Sequence, residues 1–320
     1  DWSSDVCSSD LNQEPVSLPS KFPLLLAMGV EGIAVGLASK ILPHNFNELI
    51  DASVAYLKGE DFELFPDFPT GGLADCSKYN QGLRGGAVKV RAKISKVDKK
   101  TLVITELPFG LTTTKLIESI LKANDKGKIK IRKVDDNTSD GAEIVVHLHN
   151  DVSPDKTIDA LYAFTECETS ISPNACVIVE NNPHFIGVDV ILRHNTDKTR
   201  SLLKMELDIR LAELNDNWHY TSLEKIFFEE RVYRLLEKDA KSWEDQLATV
   251  EEELKKYEKS LKREVTREDV LKLVEKPVRK ISMFDVKQLE DAILKIEAEM
   301  EEVNYNLEHL TQYTIKYYTQ

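Results

Sequence analysis

The chain has 320 residues, 42% hydrophobic and 30% charged, which is typical of a globular protein with a buried core and room for two domains. A net charge of −13 argues at first against a nucleic-acid partner, and no apolar run is long enough to span a membrane. The four cysteines lack metal-ligand spacing and no secretory signal is recognisable, so we expect a cytoplasmic protein with reduced thiols and no metal site.

The charges are unevenly spread along the chain. From Lys78 to Lys133 there are fifteen Lys or Arg residues against four Asp or Glu, a local balance of +11. Local clustering decides what a surface attracts, so an acidic chain can still carry a patch that binds nucleic acid.

Residues 1–11 form a Ser/Asp-rich segment without hydrophobic periodicity. The segment resembles translated adapter sequence joined to a gene fragment, so we expect it to be non-native and exclude it from the fold. The interpretable sequence begins near Asn12.

A glycine-rich stretch occupies residues 29–45, Gly-Val-Glu-Gly-Ile-Ala-Val-Gly-Leu-Ala-Ser-Lys-Ile-Leu-Pro-His-Asn. Glycines at this density indicate a sharp bend of the backbone or the close approach of another surface. Neither phosphate-binding glycine pattern is present, which argues against nucleotide binding. Composition alone leaves two interpretations open, a buried turn without a ligand and a turn against which a ligand lies.

Strands and helices are then mixed without a βαβ rhythm, which predicts an α+β domain. Alternation over residues 88–94 predicts a half-buried strand whose outer face carries only Lys89, Arg91 and Lys93. A helix over 46–58 has Asn45 or Asn47 as its N-cap. The other predicted elements are helices over 113–121 (capped by Thr112 or Thr113) and 157–166, and strands over 102–107, 128–134, 143–149 and 175–180.

From about residue 187 glycine and proline nearly vanish, and long charged helices are predicted. Apolar residues recur at spacings of four and three through 243–261 and 289–317, which predicts coiled-coil seams. The partner for the last helix is a helix that starts near Asp189 and runs antiparallel to it. Between them, a capping box at Thr266 leads to Pro277 and predicts a helical knob at about 262–288. Because such a tip cannot bury both faces alone, we expect it to dimerise.

Residues 18–45 resemble the A subunit of bacterial type IIA topoisomerases, the family of DNA gyrase and topoisomerase IV. Pro-Asp-Phe-Pro-Thr-Gly-Gly at 66–72 and the Arg-Gly turn at 81–86 resemble the same family. The resemblance covers about 12–320. Over 191–231 the sequence is most similar to the topoisomerase IV A subunit of Bacteroidetes-type bacteria, with gyrase A a close second.

The resemblance implies a tower-like α+β domain over 12–186 and, over 187–320, a long antiparallel coiled-coil arm whose knob is a dimeric exit gate. It implies double-stranded DNA as the partner, bent by Ile33 wedged between base pairs, where the alternative is a core isoleucine. The residues implied to contact phosphates are Lys40, His44, Asn45, Arg84, Lys89, Arg91 and Lys93. The alternatives are a solvated strand face for the cations and helix capping for His44 and Asn45.

The family cleaves DNA with a tyrosine in a winged-helix domain that precedes the matched segment, so we expect this chain alone to be inactive. Gln312-Tyr313-Thr314 lacks the arginine that precedes the family's nucleophile, and Tyr313 is interpreted as an ordinary helix residue. ATP and Mg²⁺ are expected on a partner B subunit in an A2B2 assembly, with no cofactor on this chain. The rival hypothesis is a non-enzymatic coiled-coil scaffold with an α+β head, which leaves Gly-Ile-Ala-Val-Gly beside a basic strand unexplained.

Overall fold

A computed structural model of the chain describes residues 19–179, 181–237, 242–275 and 283–320. The predicted non-native segment 1–11 and the part of the predicted knob around Pro277 lie outside these ranges. The contacts divide the chain into unit 1, residues up to Thr199, and unit 2, residues 200–318, so the division falls inside one long helix. None of the helices in the described ranges has the length and apolar character needed to cross a membrane.

Unit 1 is an α+β unit, as predicted, and all of its strand pairs are antiparallel. Its strands are β1 (Val30–Ala34), β2 (Leu37–Ile41), β3 (Leu73–Lys78), β4 (Ala87–Arg91), β5 (Lys93–Lys96), β6 (Thr101–Glu106), β7 (Ile131–Asp136), β8 (Ile144–Leu148), β9 (Glu168–Ile171), β10 (Cys176–Val179) and β11 (Asn182–Phe185). Its helices are α1 (Leu24–Met28), α2 (Phe46–Lys58), α3 (Thr113–Asp125), α4 (Pro154–Phe164) and the start of α5 (Val188–Glu229). The sheets are β1-β2, β10-β11, β3-β4-β9 and β5-β6-β8-β7.

The predicted strand over 88–94 is two strands in two different sheets. Val88 and Val90 of β4 are buried in a core to which helices α1 and α2 also contribute side chains. Ala92 belongs to the core between the four-stranded sheet and helices α3 and α4, and its N–H donates to the Cys167 carbonyl, 2.8 Å away. The predicted alternation of buried and exposed residues is confirmed. The pairing changes at Ala92, because β4 pairs with β9 whereas β5 pairs with β6.

The predicted helices of unit 1 are present, with small shifts of their ends. Asn45, not Asn47, caps α2, and Thr112 caps α3. The predicted helix over 157–166 begins three residues earlier, because Pro154 occupies the first helical turn, where its missing N–H costs nothing. The predicted strand over 128–134 begins at Ile131. Of the predicted strand over 175–180, β10 contains 176–179, and residue 180 lies outside the described ranges.

Unit 2 contains the rest of α5 and the helices α6 (Trp243–Lys255), α7 (Arg267–Val274), α8 (Met283–Glu308) and α9 (Leu310–Thr319). Helices α5 and α8 are antiparallel, as predicted, since residues further along α5 contact residues earlier in α8. Arg210 pairs with Glu299 at 2.6 Å, and further along α5 Lys225 pairs with Glu290 at 2.9 Å. Coiled-coil packing of these helices stays a prediction.

Neither of the two apolar repeats lies on one uninterrupted helix. Within the repeat over 243–261, α6 ends at Lys255 and a 3-10 turn follows at Glu258–Ser260. The repeat over 289–317 is interrupted at His309, between α8 and α9. In both places the apolar residues continue to pack after the helix stops, so periodicity alone does not reveal the break.

The described part of the knob, residues 262–275, buries its apolar side chains within unit 2. Val265, Val270 and Leu273 join a core with Phe227 of α5 and Val250 of α6. The predicted capping box is confirmed, since Thr266 and Asp269 exchange hydrogen bonds at the start of α7. Helices α5 and α6 cover these side chains, so the described part of the knob gives no reason of its own for a second copy, and dimerisation through 262–288 stays a prediction.

Candidate nucleic-acid interface

The glycine-rich stretch is a β-hairpin formed by β1 and β2, with Val35 and Gly36 as its two-residue turn. Gly36 has φ +80°, the left-handed value that a type II turn requires at its second central residue and that glycine adopts without strain. At the base, Gly29 has φ +68° and lies so close to the main chain that a Cβ would stand 2.8 Å from the Ile41 carbonyl oxygen. Two of the three glycines are thus required by the fold of the hairpin.

The tip of the hairpin presents apolar side chains to solvent. Ile33 is 91% exposed and Val35 is fully exposed, whereas isoleucine and valine are among the residues most often buried. A Cβ added at Gly32, beside Ile33, would meet no atom within 4 Å. The interpretation of Ile33 as a core residue is excluded, and no separate signal in the sequence pointed to Val35.

The base of the hairpin is held firmly to the body of unit 1. Ile41 is buried in the core, and Lys40 and Asn174 exchange two main-chain hydrogen bonds of 2.9 Å. The Ser39 hydroxyl donates to the Cys176 carbonyl at 2.8 Å, and the Asn174 amide donates to the Ala38 carbonyl at 2.6 Å. A rigid base with a bare apolar tip can insert a side chain into a partner without reorganising the fold.

His44, three residues after the end of the hairpin, is buried, with only 4% of its surface exposed. Nδ1 lies 3.2 Å from the Leu26 carbonyl oxygen and Nε2 lies 3.1 Å from the Tyr79 hydroxyl, so both ring nitrogens have partners. Burial lowers the pKa of His44, which favours the neutral ring. The structure thus places His44 in the core, where it joins Leu26 to Tyr79, rather than on the surface with the other predicted phosphate ligands.

Asn45 occupies the capping position that was one of its two interpretations. Its Oδ1 accepts hydrogen bonds from the N–H groups of Asn47 and Glu48, at 2.9 and 3.4 Å. Its Nδ2 donates to an Asp67 carboxylate oxygen at 3.0 Å. Both ends of the amide are therefore engaged in the free chain.

The basic strand face is exposed as predicted, but each of its cations already has a carboxylate partner. The Arg91 Nε donates to Glu168, whose other oxygen lies 3.9 Å from the Lys89 Nζ. Lys93 pairs with Glu106 at 2.8 Å. The guanidinium of Arg91 also lies over the Tyr162 ring, 5.1 Å from its centroid. The outer face of this stretch of chain carries only cations, as predicted. The surface as a whole is mixed in charge, because the neighbouring strands contribute Glu168 and Glu106.

The remaining predicted cations differ from each other. Lys40 pairs with Glu31 at 3.1 Å, directly across the hairpin. Arg84 is exposed in the turn before β4, and it forms no ion pair within the described ranges. Asn80 and Gln81, just before it, both have left-handed φ values near +50°, a strained conformation that often marks functional turns.

Nothing in the described ranges forms a group of His, Cys, Asp and Glu that could hold a metal ion. Tyr313 packs in a helical cluster with Leu310 and Leu307 on α9 and α8, which agrees with its interpretation as a helix residue. The candidate site is therefore an apolar hairpin tip with Lys40 on the same hairpin, together with the exposed cations of β4, β5 and the turn before β4 in the same unit. An exposed apolar side chain and cations are the features with which proteins kink a duplex.

A sequence model that describes the A subunit of DNA gyrase/topoisomerase IV matches residues 7–319. The chain belongs to this family. The match starts inside the segment that we expect to be non-native and extends through both units.

Individual relatives agree with this assignment. The chain is 40% identical over 306 residues to the A subunit of DNA topoisomerase 4 from Borreliella burgdorferi, an alignment covering 96% of this chain and 48% of that protein. It is 35% identical over 226 residues to the A subunit of DNA gyrase from Lawsonia intracellularis, covering 65% of this chain and 27% of the relative. The chain thus spans about half the length of the topoisomerase relative, and the predicted family resemblance is confirmed.

Proposed function

We propose that this chain is the DNA-supporting and gate-forming part of a topoisomerase IV A subunit, which binds and bends the duplex that the full enzyme opens. The observation that carries the proposal is the exposed hairpin tip with Ile33, on a rigid base, in a member of this family. Unstacking a base step costs a few kcal/mol, which the contacts of a bent duplex can offset. Gyrase A is the second candidate within the family.

In this proposal, Arg84, Lys89, Arg91 and Lys93 contact phosphates, with Lys40 beside the hairpin. Because all but Arg84 are paired with carboxylates, DNA must exchange those ion pairs for phosphate contacts. Exposed pairs are worth roughly 1 kcal/mol or less each, so the exchange is feasible. Asn45 contributes a phosphate contact only if its Asp67 hydrogen bond is released, and the buried His44 contributes none.

The test is the affinity for a duplex of about 40 base pairs, measured by fluorescence anisotropy over a salt series. The triple variant Arg84→Ala, Lys89→Ala, Arg91→Ala should weaken binding and flatten the log–log salt dependence by up to about 3, since each phosphate contact contributes about 0.9. A triple variant that binds like the parent would show that this basic face is only solvated, and would favour the scaffold hypothesis.

The carboxylate that neutralises the face allows a converse test. Glu168→Gln frees Lys89 and Arg91, so DNA affinity should rise, with a steeper salt dependence by about 1. Glu166→Gln is the matched control, because that exposed carboxylate has no ion pair within the described ranges. An equal gain in DNA affinity in both variants would mean that the change in net charge, and not the release of Lys89 and Arg91, causes the effect.

We further propose that the knob at 262–288 forms a homodimer and that a B subunit supplies ATP hydrolysis and Mg²⁺ in an A2B2 assembly. Family membership supports this, while the buried apolar side chains of 262–275 offer no additional argument. A monomer in equilibrium sedimentation at micromolar concentration would contradict the dimer. We expect no cleavage by this chain alone, and relaxation of supercoiled DNA once the family's nucleophile domain and a B subunit have been supplied.

A further inference from the structure

A second group of cations lies on the β5-β6-β8-β7 sheet, to which Lys93 of the first group also belongs. Lys99 and Lys100 in the β5–β6 turn and Arg132 on β7 line one open cleft of about 450 Å³. His147 of β8 forms part of its floor. The local sequence is unusual for an acidic chain, since five of the eight residues at 126–133 are Lys or Arg and none is Asp or Glu.

Strand pairing explains why these cations meet. Thr101 of β6 and Lys133 of β7 both lie opposite His147, so three neighbouring strands are in register at the cleft. The β7–β8 ladder is irregular between Ile131 and Lys133, and Arg132 is the residue that falls in the irregularity. A bulge of this kind redirects side chains, and here Arg132 and Lys133 are both exposed while Ile131 is buried.

The cleft differs from the basic strand face in its ion pairs. Lys99, Lys100 and Arg132 form no ion pair with any residue in the described ranges. Asp98 also lines the cleft, where it accepts a 2.6 Å hydrogen bond from the Lys100 N–H and keeps its negative charge. Asp135 on β7 is shared between Lys133 at 2.6 Å and His147 at 3.2 Å.

Lys99, Lys100, Arg132 and Lys133 outnumber the two carboxylates Asp98 and Asp135, and a local excess of positive charge attracts polyanions. The cleft residues in the described ranges include no Phe, Tyr or Trp, the side chains on which unpaired bases stack in single-strand binding sites. A cleft that offers cations and no stacking platform suits the phosphates of a duplex, whose bases stay inside.

We propose that Lys99, Lys100 and Arg132 form a second duplex-DNA contact surface, which binds backbone phosphates independently of sequence. The proposal rests on the proposed function, because it assigns the same ligand to a second set of cations in unit 1. Since these cations give up no ion pair on binding, they contribute to affinity without the exchange that the residues of β4 and β5 require.

The experiment compares two triple variants of the full chain by anisotropy with the same duplex over a salt series. Lys99→Ala, Lys100→Ala, Arg132→Ala should lower the log–log salt slope by about 2 to 3 and weaken binding by about tenfold or more at low salt. The control is Lys58→Ala, Lys115→Ala, Lys156→Ala, which removes the same charge from exposed positions on α2, α3 and α4. Far-UV circular dichroism checks that both variants are folded.

The outcomes separate this inference from the function on which it rests. If the parent binds duplex and the cleft variant keeps the parent's slope, or loses no more than the control, the second surface is overturned while the proposed function stands. If the cleft variant loses affinity for single-stranded DNA of equal length but not for duplex, the assignment to duplex is overturned. If the parent binds no duplex at all, both proposals fail.

Discussion

The hairpin tip and the knob both carry apolar residues for which the sequence predicts a partner, yet the two regions differ in burial. Ile33 at the tip is 91% exposed, whereas Leu273 in the knob is fully buried against α5 and α6. An apolar residue in a sequence predicts burial, but it does not reveal whether the cover comes from the same chain or from a ligand. Ile33, which the fold leaves exposed to solvent, is therefore the better candidate for a contact with a partner.

The largest expected difference between the two regions is in stability. Leu273→Ala should lower the free energy of unfolding of unit 2 by about 2–5 kcal/mol, because it leaves a cavity in a closed core. Ile33→Ala should change stability by less than about 0.5 kcal/mol, because the side chain touches little. Denaturant unfolding followed by tryptophan fluorescence is weighted towards unit 2, which holds Trp218 and Trp243 of the three tryptophans, and circular dichroism follows the whole chain. Similar losses in both variants would remove the contrast.

A second, smaller difference concerns pH. His219 is fully buried beside the knob, with Nε2 3.7 Å from Asp269, which also binds Arg263. Burial, followed by the Arg263 charge, lowers the pKa of His219, and the carboxylates of Asp269 and Asp216 only partly oppose this. The unfolded chain therefore takes up the proton first, so this contribution to stability is complete above about pH 6.5 and is lost as the pH falls below it.

The measurement is the denaturation midpoint of unit 2 from about pH 7.5 to about pH 5.5, on either side of the ordinary histidine pKa, again by tryptophan fluorescence. We expect the midpoint to fall on acidification in the parent and in His194→Gln, an exposed control on α5. His219→Gln should show a flatter profile. A midpoint that rises as the solution is acidified would contradict the sign of the shift.

The smallest expected effect on folding is at Gly32. Because no atom lies within 4 Å of an added Cβ and the backbone is not left-handed there, Gly32→Ala should leave stability within about 0.5 kcal/mol of the parent. DNA affinity should nevertheless fall, since the methyl group stands where the duplex approaches beside Ile33. Anisotropy measures this, and unchanged affinity would mean that the hairpin face is not part of the interface.

Much of unit 1 could be predicted from local patterns. The Asn45 cap and the apolar face of α2 lie within one stretch of chain, and the alternation around Val88 and Val90 reports which face is buried. The hairpin was not predicted because burial periodicity is the main signal for strands, and every residue of β1 is exposed. Only the turn chemistry at Gly36 marks it.

The ion pairs at the site illustrate two kinds of limit. Arg91 and Glu168 are 77 positions apart, and only the β4–β9 pairing brings them opposite each other. The Lys40–Glu31 pair could have been found, because a turn centred on residues 35 and 36 places those two positions across the hairpin. The charges on one strand therefore do not give the electrostatic potential of the surface. That potential also depends on side chains such as Glu168, which strand pairing brings from distant parts of the sequence.

The central claim, that the hairpin bends DNA with Ile33, is tested most directly by the end-to-end distance of a bound duplex. A duplex of about 40 base pairs with a fluorophore at each end should show higher energy transfer when the parent binds. Ile33→Ala should still bind but return the transfer towards that of free DNA, whereas Val35→Ala, the other bare tip residue, should keep the bend. Equal energy transfer with the parent and with Ile33→Ala, at saturating protein, would contradict the account.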